Sequence, residues 1–308
     1  MNSHDCNPDP LAGGPGGMFL PHEVFAGLEP SYSNLEHAST VVLPVPYDGT
    51  SEWRAGSRHG PQAIIDASQY LELYDLEVDR EVYRVGISTL PQVEPVLSSP
   101  RDMIDRVYAA VKGLIQKDKF ILLLGGEHSL SLGAVRACKE AFPGLSVLQL
   151  DAHADLRNEY MGTKYSQACV MRRIFELCPI CQVGLRSLSW EEKQFLTQNK
   201  LRPFYMSDLV STRASVEQIV DSLSEDVYVT IDVDVLDPSI MPAVGTPEPD
   251  GMSWQQILNI VKAVGLRKHV VAFDLMEFCP GEGPRSCAYL LAKLAYRFIG
   301  WAMPQEGR

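Results

Sequence analysis

From about Ser39 onward, short apolar runs rich in β-branched residues alternate with segments of helical periodicity. The runs are TVVLPVPY (40–47), YRVGIST (83–89), KFILLLGG (119–126), LSVLQLD (145–151), ICQVGLRS (180–187), RPFYMS (202–207), VYVTIDVDV (227–235) and HVVAFDLMEF (269–278). Several are apolar at nearly every position, as strands covered on both faces are. Helical patterns occupy 101–116, 129–142, 215–224 and 253–265, and a long one at 286–301 closes the chain. Pro61 fits the first turn of another helix. Such alternation predicts an α/β fold with a parallel sheet of about eight strands. No repeat, linker or composition break interrupts the pattern, so residues 21–308 are expected to form one domain. Residues 1–20, rich in Gly, Pro and polar side chains, are expected to form a flexible tail.

In open α/β sheets, ligands bind beyond the carboxyl ends of the strands. Four runs carry unusual polar residues there. The run at 119–126 ends in two glycines followed by Glu127 and His128. The run at 145–151 leads into Asp151, His153 and Asp155, and the run at 227–235 carries Asp232 and Asp234. The last, at 269–278, carries Asp274 and Glu277. Residues two apart on an extended backbone share a face. Asp151, His153 and Asp155 therefore converge if extended geometry persists past Leu150, and Asp232 and Asp234 do the same. Asp237, before Pro238, reads as a turn.

Four aspartates gathered in a half-buried pocket repel one another and lose hydration. Arg157 is the one basic residue near them in sequence, so two divalent cations are the economical neutralising charge. Oxygen-rich ligation with two imidazoles, His128 and His153, favours Mn²⁺ over Mg²⁺. Zinc usually brings thiolates or more histidines, so Co²⁺, Zn²⁺ and Fe²⁺ rank below Mn²⁺.

The net charge of −12 argues against nucleic acid as a partner and suits a cationic substrate. Seven scattered cysteines argue against a disulfide framework and for the reducing cytoplasm. The one CxxC, Cys178 with Cys181, is expected to be buried and structural. No apolar run has the length of a membrane span, and the first residues lack the basic start and apolar core of a signal peptide.

GGEHS, DAHAD and TIDVDVLDP resemble the three metal signatures of the ureohydrolases, the arginase and agmatinase family. VPYDGTSEWRAGSRHGPQAI, GTPEPDGMSW and FDLMEFCP resemble other blocks of that family, and DAHADLRNEYMGTKYSQACVMRR looks closer to agmatinases than to arginases. The resemblance implies a three-layer α/β/α fold and a homo-oligomer, trimeric or hexameric. It implies that His128 binds one manganese ion and His153 a second, with Asp151 and Asp232 bridging them. Asp155 would complete the first site, and Asp234 the second. Glu277 would pair with the substrate guanidinium, and Asp155 would also carry a proton. The implied activity is hydrolysis of a guanidino group to urea and an amine. Agmatine, giving putrescine in polyamine biosynthesis, leads; aminopropylagmatine, giving spermidine, follows. Arg157 stands where arginases have an Asn that helps hold the substrate α-carboxylate, which argues against arginine and would suit guanidinobutyrate.

One position departs from the family. Gln167 stands where related sequences usually have a histidine assigned to proton transfer or substrate orientation. Glutamine hydrogen-bonds but does not titrate. Loss of a proton shuttle would lower the rate by roughly 10²–10⁴, which opens the alternative of a metal-binding family member with weak or lost catalysis. Otherwise Gln167 keeps the same hydrogen bonds for a substrate that needs no shuttle. His59, in the loop after the first run, is a candidate substitute. A different two-metal hydrolase, such as a phosphatase or an amide hydrolase, would need donor or cationic groups for an anionic oxygen, and no phosphate loop is apparent.

Overall fold

A computed structural model of the protein describes residues 23–303; the tail expected at 1–20 lies outside the described residues. All eight apolar runs contribute to one eight-stranded sheet. Its strands are β1 Thr40–Val45, β2 Ile87–Thr89, β3 Phe120–Gly125, β4 Ser146–Leu150, β5 Ile180–Leu185, β6 Phe204–Tyr205, β7 Asp226–Asp232 and β8 His269–Met276. Every pairing is parallel, and the order across the sheet is β2-β1-β3-β8-β7-β4-β5-β6.

Alternation along the strands builds two apolar layers. Leu122, Leu124, Val229 and Ile231 pack on one face with helices Gly60–Ser68, Trp254–Arg267 and Ser286–Ala302. Ile121, Leu123, Val147 and Tyr228 pack on the other with helices Pro100–Ile115 and Ser131–Ala141. The result is the three-layer α/β/α arrangement. Cys178 and Cys181 are buried and unbridged, as expected. Among the described residues no helix is long and apolar enough to cross a membrane.

Several runs end earlier than their hydrophobicity suggests. The run at 83–89 is extended only at Ile87–Thr89. Before it, Val82–Val85 forms a 3-10 turn closed by Gly86 at φ 73. The run at 202–207 yields two strand residues before a short helix, Met206–Val210. The run at 227–235 stops at Asp232, and Val233–Val235 turns as a 3-10 helix. Helix Ser131–Ala141 is preceded by another such turn, His128–Leu130. Helices Val170–Phe175 and Trp190–Gln198 were not among the expected segments. The second carries a legible start signal, a reciprocal capping box between Ser189 and Glu192. Asp237 does form a turn, accepting from Ser239 N and Gly251 N at 3.0 Å each.

The glycines ending β3 let the chain pass where no side chain fits. A Cβ on Gly126 would lie 1.9 Å from the Tyr47 carbonyl oxygen, whereas one on Gly113, in helix Pro100–Ile115, would meet nothing within 4 Å. Gly126→Ala is expected to destabilise the protein by about 1–3 kcal/mol or more through overpacking. Gly113→Ala should stabilise it by up to about 1 kcal/mol through helix propensity. Urea unfolding of both variants checks the opposite signs.

Candidate metal centre

Strand order places the polar tips side by side. β8 lies between β3 and β7, and β7 pairs with β4. The residues at or just beyond the ends of these four strands are His128, Glu277, the pair Asp232 and Asp234, and the trio Asp151, His153 and Asp155. The sheet therefore brings together residues up to 149 positions apart in the chain, such as His128 and Glu277.

The expected reason for convergence holds only in part. Asp151 follows β4 directly, and His153 still makes a parallel bridge to Ser187. Asp155 does not continue the extended chain: its φ is 53, left-handed. That turn lets its carbonyl accept from Met171 N and Arg172 N, at the start of helix Val170–Phe175, while its carboxylate swings back to His128. Asp234 lies on the 3-10 turn rather than on the strand, and the Asp232 carboxylate accepts from its N–H at 3.0 Å. Turn geometry, not strand alternation, brings these two acids in.

Three carboxylate oxygens surround His128 Nδ1: Asp151 Oδ2 at 3.2 Å, Asp155 Oδ2 at 3.2 Å and Asp232 Oδ2 at 3.3 Å. None is aligned for a hydrogen bond, so Nδ1 is a buried polar atom without a partner. The other ring nitrogen explains why. Tyr228 OH donates to Asp274 Oδ2 at 2.6 Å, and Thr230 Oγ1 donates to Asp274 Oδ1 at 2.7 Å. Thr230 Oγ1 is thereby left to accept from His128 Nε2 at 2.8 Å. With Nε2 donating to Thr230, Nδ1 is the nitrogen that faces the three carboxylate oxygens. Burial opposes its protonation, but Asp151, Asp155 and Asp232 outweigh burial and hold the imidazole well above its ordinary pKa, so in the metal-free chain a proton stands where a cation would. A cation at the centre satisfies all four groups, and hydroxyl and carboxylate partners of this kind commonly orient metal-binding imidazoles.

A second cluster adjoins the first. His153 Nδ1 lies 2.9 Å from Asp234 Oδ2 and 3.8 Å from Asp151 Oδ1. Asp151 thus turns one oxygen to each histidine. His128, Asp151 and Asp232 form one group with metal-ligating spacing, and Asp151, His153 and Asp234 form another. Gln149 Nε2 donates to Asp151 Oδ2 at 2.6 Å, and Gln182 Nε2 donates to Gln149 Oε1 at 2.6 Å, which fixes the shared carboxylate from behind.

The electrostatics record the crowding. Burial and the charges of Asp155 and Asp234 push Asp151 up to about 7. Burial, with Asp234 and Asp151 beside it, holds Asp232 well above the carboxylate range. Burial, then the Glu127 charge, does the same to Glu277. Burial opposes ionisation of Asp234 too, but the His153 imidazolium outweighs it and draws the acid down to about 2.

A cavity of about 270 Å³ opens onto the cluster and is lined by His153, Asp155, Asp232, Glu277, Gln167 and Arg157, among others. Glu277, also left-handed at φ 64, accepts from His128 N through Oε1 at 2.7 Å. Arg285, the basic residue that follows it most closely in sequence, lines a different cavity. His59 also lines a separate cavity and does not join the cluster. Gln167 reaches the wall with its amide Oε1 buried and unpartnered. Its N–H donates to Thr50 Oγ1 at 3.1 Å, and Thr50 donates its own N–H and hydroxyl to Glu127 at 2.5 and 2.6 Å. Sequence reading noted Glu127 and Asp274 but gave them no role, and it missed Thr230, Gln149 and Thr50. The available signal was a polar residue at a core position of an apolar run, as at Gln149 and Thr230.

A sequence model of the arginase family matches residues 38–300. The chain is 34% identical over 273 residues to the N(1)-aminopropylagmatine ureohydrolase of Synechocystis sp., covering 86% of this chain and 89% of the relative. It is 38% identical over 276 residues to the protein of that name from Thermococcus kodakarensis, covering 89% and 93%. Among solved structures it is similar to the agmatine ureohydrolase of Thermoplasma volcanium, with TM-score 0.84, 31% identity and coverage of 92% and 95%.

The pKa shifts give a signed expectation for the metal-free protein. Carboxylates with raised pKa retain protons in the folded chain that the unfolded chain has released. Their contribution to stability is full below the ordinary value of about 4 and is lost as pH rises through the folded value, about 7 for Asp151. After chelation, the melting temperature should therefore fall between pH 5 and pH 7.5. Mn²⁺ should raise it more at pH 7.5 than at pH 5, because the ion replaces the protons. Calorimetric melts with and without Mn²⁺ at both pH values decide this.

Proposed function

Since the chain belongs to the arginase family, we propose that it is a metal-dependent amidinohydrolase that releases urea from a guanidine bearing an amine tail. Agmatine, giving putrescine, and aminopropylagmatine, giving spermidine, are the substrates we propose, within polyamine biosynthesis. The names of the relatives support this pair. The observation that carries the reading is the buried, unpartnered Nδ1 of His128 ringed by three carboxylate oxygens, with Asp151 reaching a second histidine cluster.

In this proposal His128, Asp151, Asp155 and Asp232 hold one ion and Asp151, His153, Asp232 and Asp234 the other, with Mn²⁺ preferred on donor chemistry. When bound, the two ions supply Lewis acidity and a water acidified to near neutral pH. The chain's own residues do the rest. Glu277 gives one oxygen to His128 N, which leaves the other for a guanidinium N–H, and the match of planar acceptor to planar donor orients the substrate carbon. As water adds to that carbon, Asp155 takes a proton and returns it to the departing nitrogen, so the C–N bond breaks to urea and a free amine. Gln167 offers its unpartnered Oε1 as a second acceptor for the guanidinium. This supports orientation as its role, against the alternative that its presence marks a chain with weak or lost catalysis. The six cysteines among the described residues are buried and unbridged, which accords with a reducing cytoplasm as the compartment. A trimer or hexamer is the assembly the family resemblance favours.

The direct test is urea release, after chelation and Mn²⁺ loading, from agmatine, aminopropylagmatine, guanidinobutyrate and arginine. One of the first two should be preferred, and Asp151→Asn should lose more than about 100-fold in kcat, because a positioned carboxylate shared by both clusters is removed. Urea from none of the four would end the reading. Gln167 is tested separately. Gln167→Leu should lose about 10-fold in kcat/KM through the missing acceptor. Gln167→His, which adds a titrating group where orientation is the proposed role, should leave turnover unchanged or lower it, with a new limb near pH 6.5. A rise in turnover would show that a proton shuttle is missing.

A further inference from the structure

We infer that Glu52, held at the cavity wall beside Tyr160, accepts an ammonium group at the far end of the substrate and so selects guanidines with a cationic tail. The inference rests on the reading above, that a guanidinium binds at the cavity floor, and it assigns the residue that reads the other end.

The cavity has five carboxylates in its lining: Glu52, Asp155, Glu192, Asp232 and Glu277. Four are already engaged. Asp155 and Asp232 face His128 Nδ1, and Glu277 accepts from His128 N. Both oxygens of Glu192 are used: Oε1 takes Leu156 N at 2.9 Å, and Oε2 takes Ser189 N at 2.6 Å and Ser189 Oγ at 2.7 Å. Glu52 differs. It is exposed on the loop after β1 and lines the cavity together with Tyr160, whose hydroxyl it neighbours: the Glu52 carboxylate, more than burial, raises the Tyr160 pKa. A neutral hydroxyl donor steers a carboxylate without cancelling its charge, so Glu52 keeps acceptor capacity for a cation.

Two features make Glu52 a fixed wall rather than a loose side chain. Arg157 stacks its guanidinium over the Tyr160 ring at 4.9 Å, which holds the ring in place. Two residues before Glu52, Thr50 is bound through both N–H and hydroxyl to the buried carboxylate of Glu127, next to His128. The distance from floor to wall is thereby set by the same strand tip that carries the cluster. Arg157 is the Arg or Lys in that lining; stacking on Tyr160 leaves its charge and in-plane N–H donors intact, so it is the rival reader of the tail that the test must separate from Glu52.

Three guanidines with tails of similar length but different ends test this: agmatine (ammonium), pentylguanidine (neutral) and guanidinobutyrate (carboxylate). In Glu52→Gln the ratio of kcat/KM for agmatine to that for pentylguanidine should fall about 10-fold, the scale of one partly exposed charge-assisted hydrogen bond, with the change in KM. Activity toward guanidinobutyrate should rise relative to agmatine. Tyr160→Phe should move the ratio the same way by less. Calorimetric binding of 1,4-diaminobutane should weaken in Glu52→Gln while that of butylamine does not follow it. An unchanged ratio in both variants overturns the inference and leaves the proposed reaction standing. So does a ratio governed by Arg157→Met with Glu52→Gln silent. A wild-type protein that releases urea neither from these three guanidines nor from aminopropylagmatine removes the proposed reaction, and this inference with it.

Discussion

Buried like charge is the constraint around which this molecule is arranged. Asp151 and His128 are fully enclosed, and Asp155 and Asp232 nearly so, yet three of their carboxylate oxygens crowd one ring nitrogen of His128. Removing such groups from water without a counter-charge costs several kcal/mol per ion. Protons relieve part of it, which is why Asp151 and Asp232 hold theirs above the usual range. A pair of divalent ions relieves it better, because each supplies two charges at the point where the oxygens already aim. The cluster is thus a costly feature in the bare chain and a stabilising one when loaded.

That arrangement is maintained from behind. The Tyr228–Asp274–Thr230 chain fixes which nitrogen of His128 faces the carboxylates, and the Gln182–Gln149 pair fixes which way Asp151 leans. Polar networks inside apolar strands are destabilising unless complete, and here most members are paired. Backbone strain adds a further contribution. Asp155 and Glu277 both hold left-handed φ, at about 1–3 kcal/mol each where the conformation is sparsely populated. Each is held by two hydrogen bonds: the Asp155 carbonyl accepts from Met171 N and Arg172 N, while Glu277 donates its N–H to Gly126 O and accepts from His128 N. Two acids of one cavity are strained in the same way because each must leave a strand tip and turn back across it.

Most of the fold was legible because buried parallel strands announce themselves as near-continuous apolar runs, and several of the eight did. Where they ended was less legible. Val233 and Val235 are as apolar as the strand before them, yet the 3-10 turn starts there because the Asp232 carboxylate captures Asp234 N. Hydrophobicity cannot register a side-chain cap. The same limit applies to the site. His128, Asp151, His153, Asp155, Asp232, Asp234 and Glu277 could be named from strand tips and family signatures, but the alternation argument gave the wrong geometry for Asp155 and Asp234. Thr50 and Glu52 were illegible in principle. Nothing along the chain says that a loop after β1 is tied to Glu127, 77 residues away, because that contact exists only once β1 and β3 are neighbours.

That tie has a consequence for how a long substrate is held. Glu127 binds Thr50, and Thr50 in turn receives Gln167 N, so the loop after β1 and the segment opening helix Val170–Phe175 are both fastened next to His128. A substrate gripped at its guanidinium meets walls set in one rigid frame with the floor, and rigid spacing turns tail recognition into orientation of the reacting carbon. It also bears on Gln167. A titrating side chain in that wall would change the charge of the cavity near neutral pH; an amide keeps it constant. In a cavity that already holds several acids and is proposed to receive a doubly charged substrate, an amide at Gln167 adds no pH dependence of its own to binding, and in the proposed reaction it leaves proton movement to Asp155.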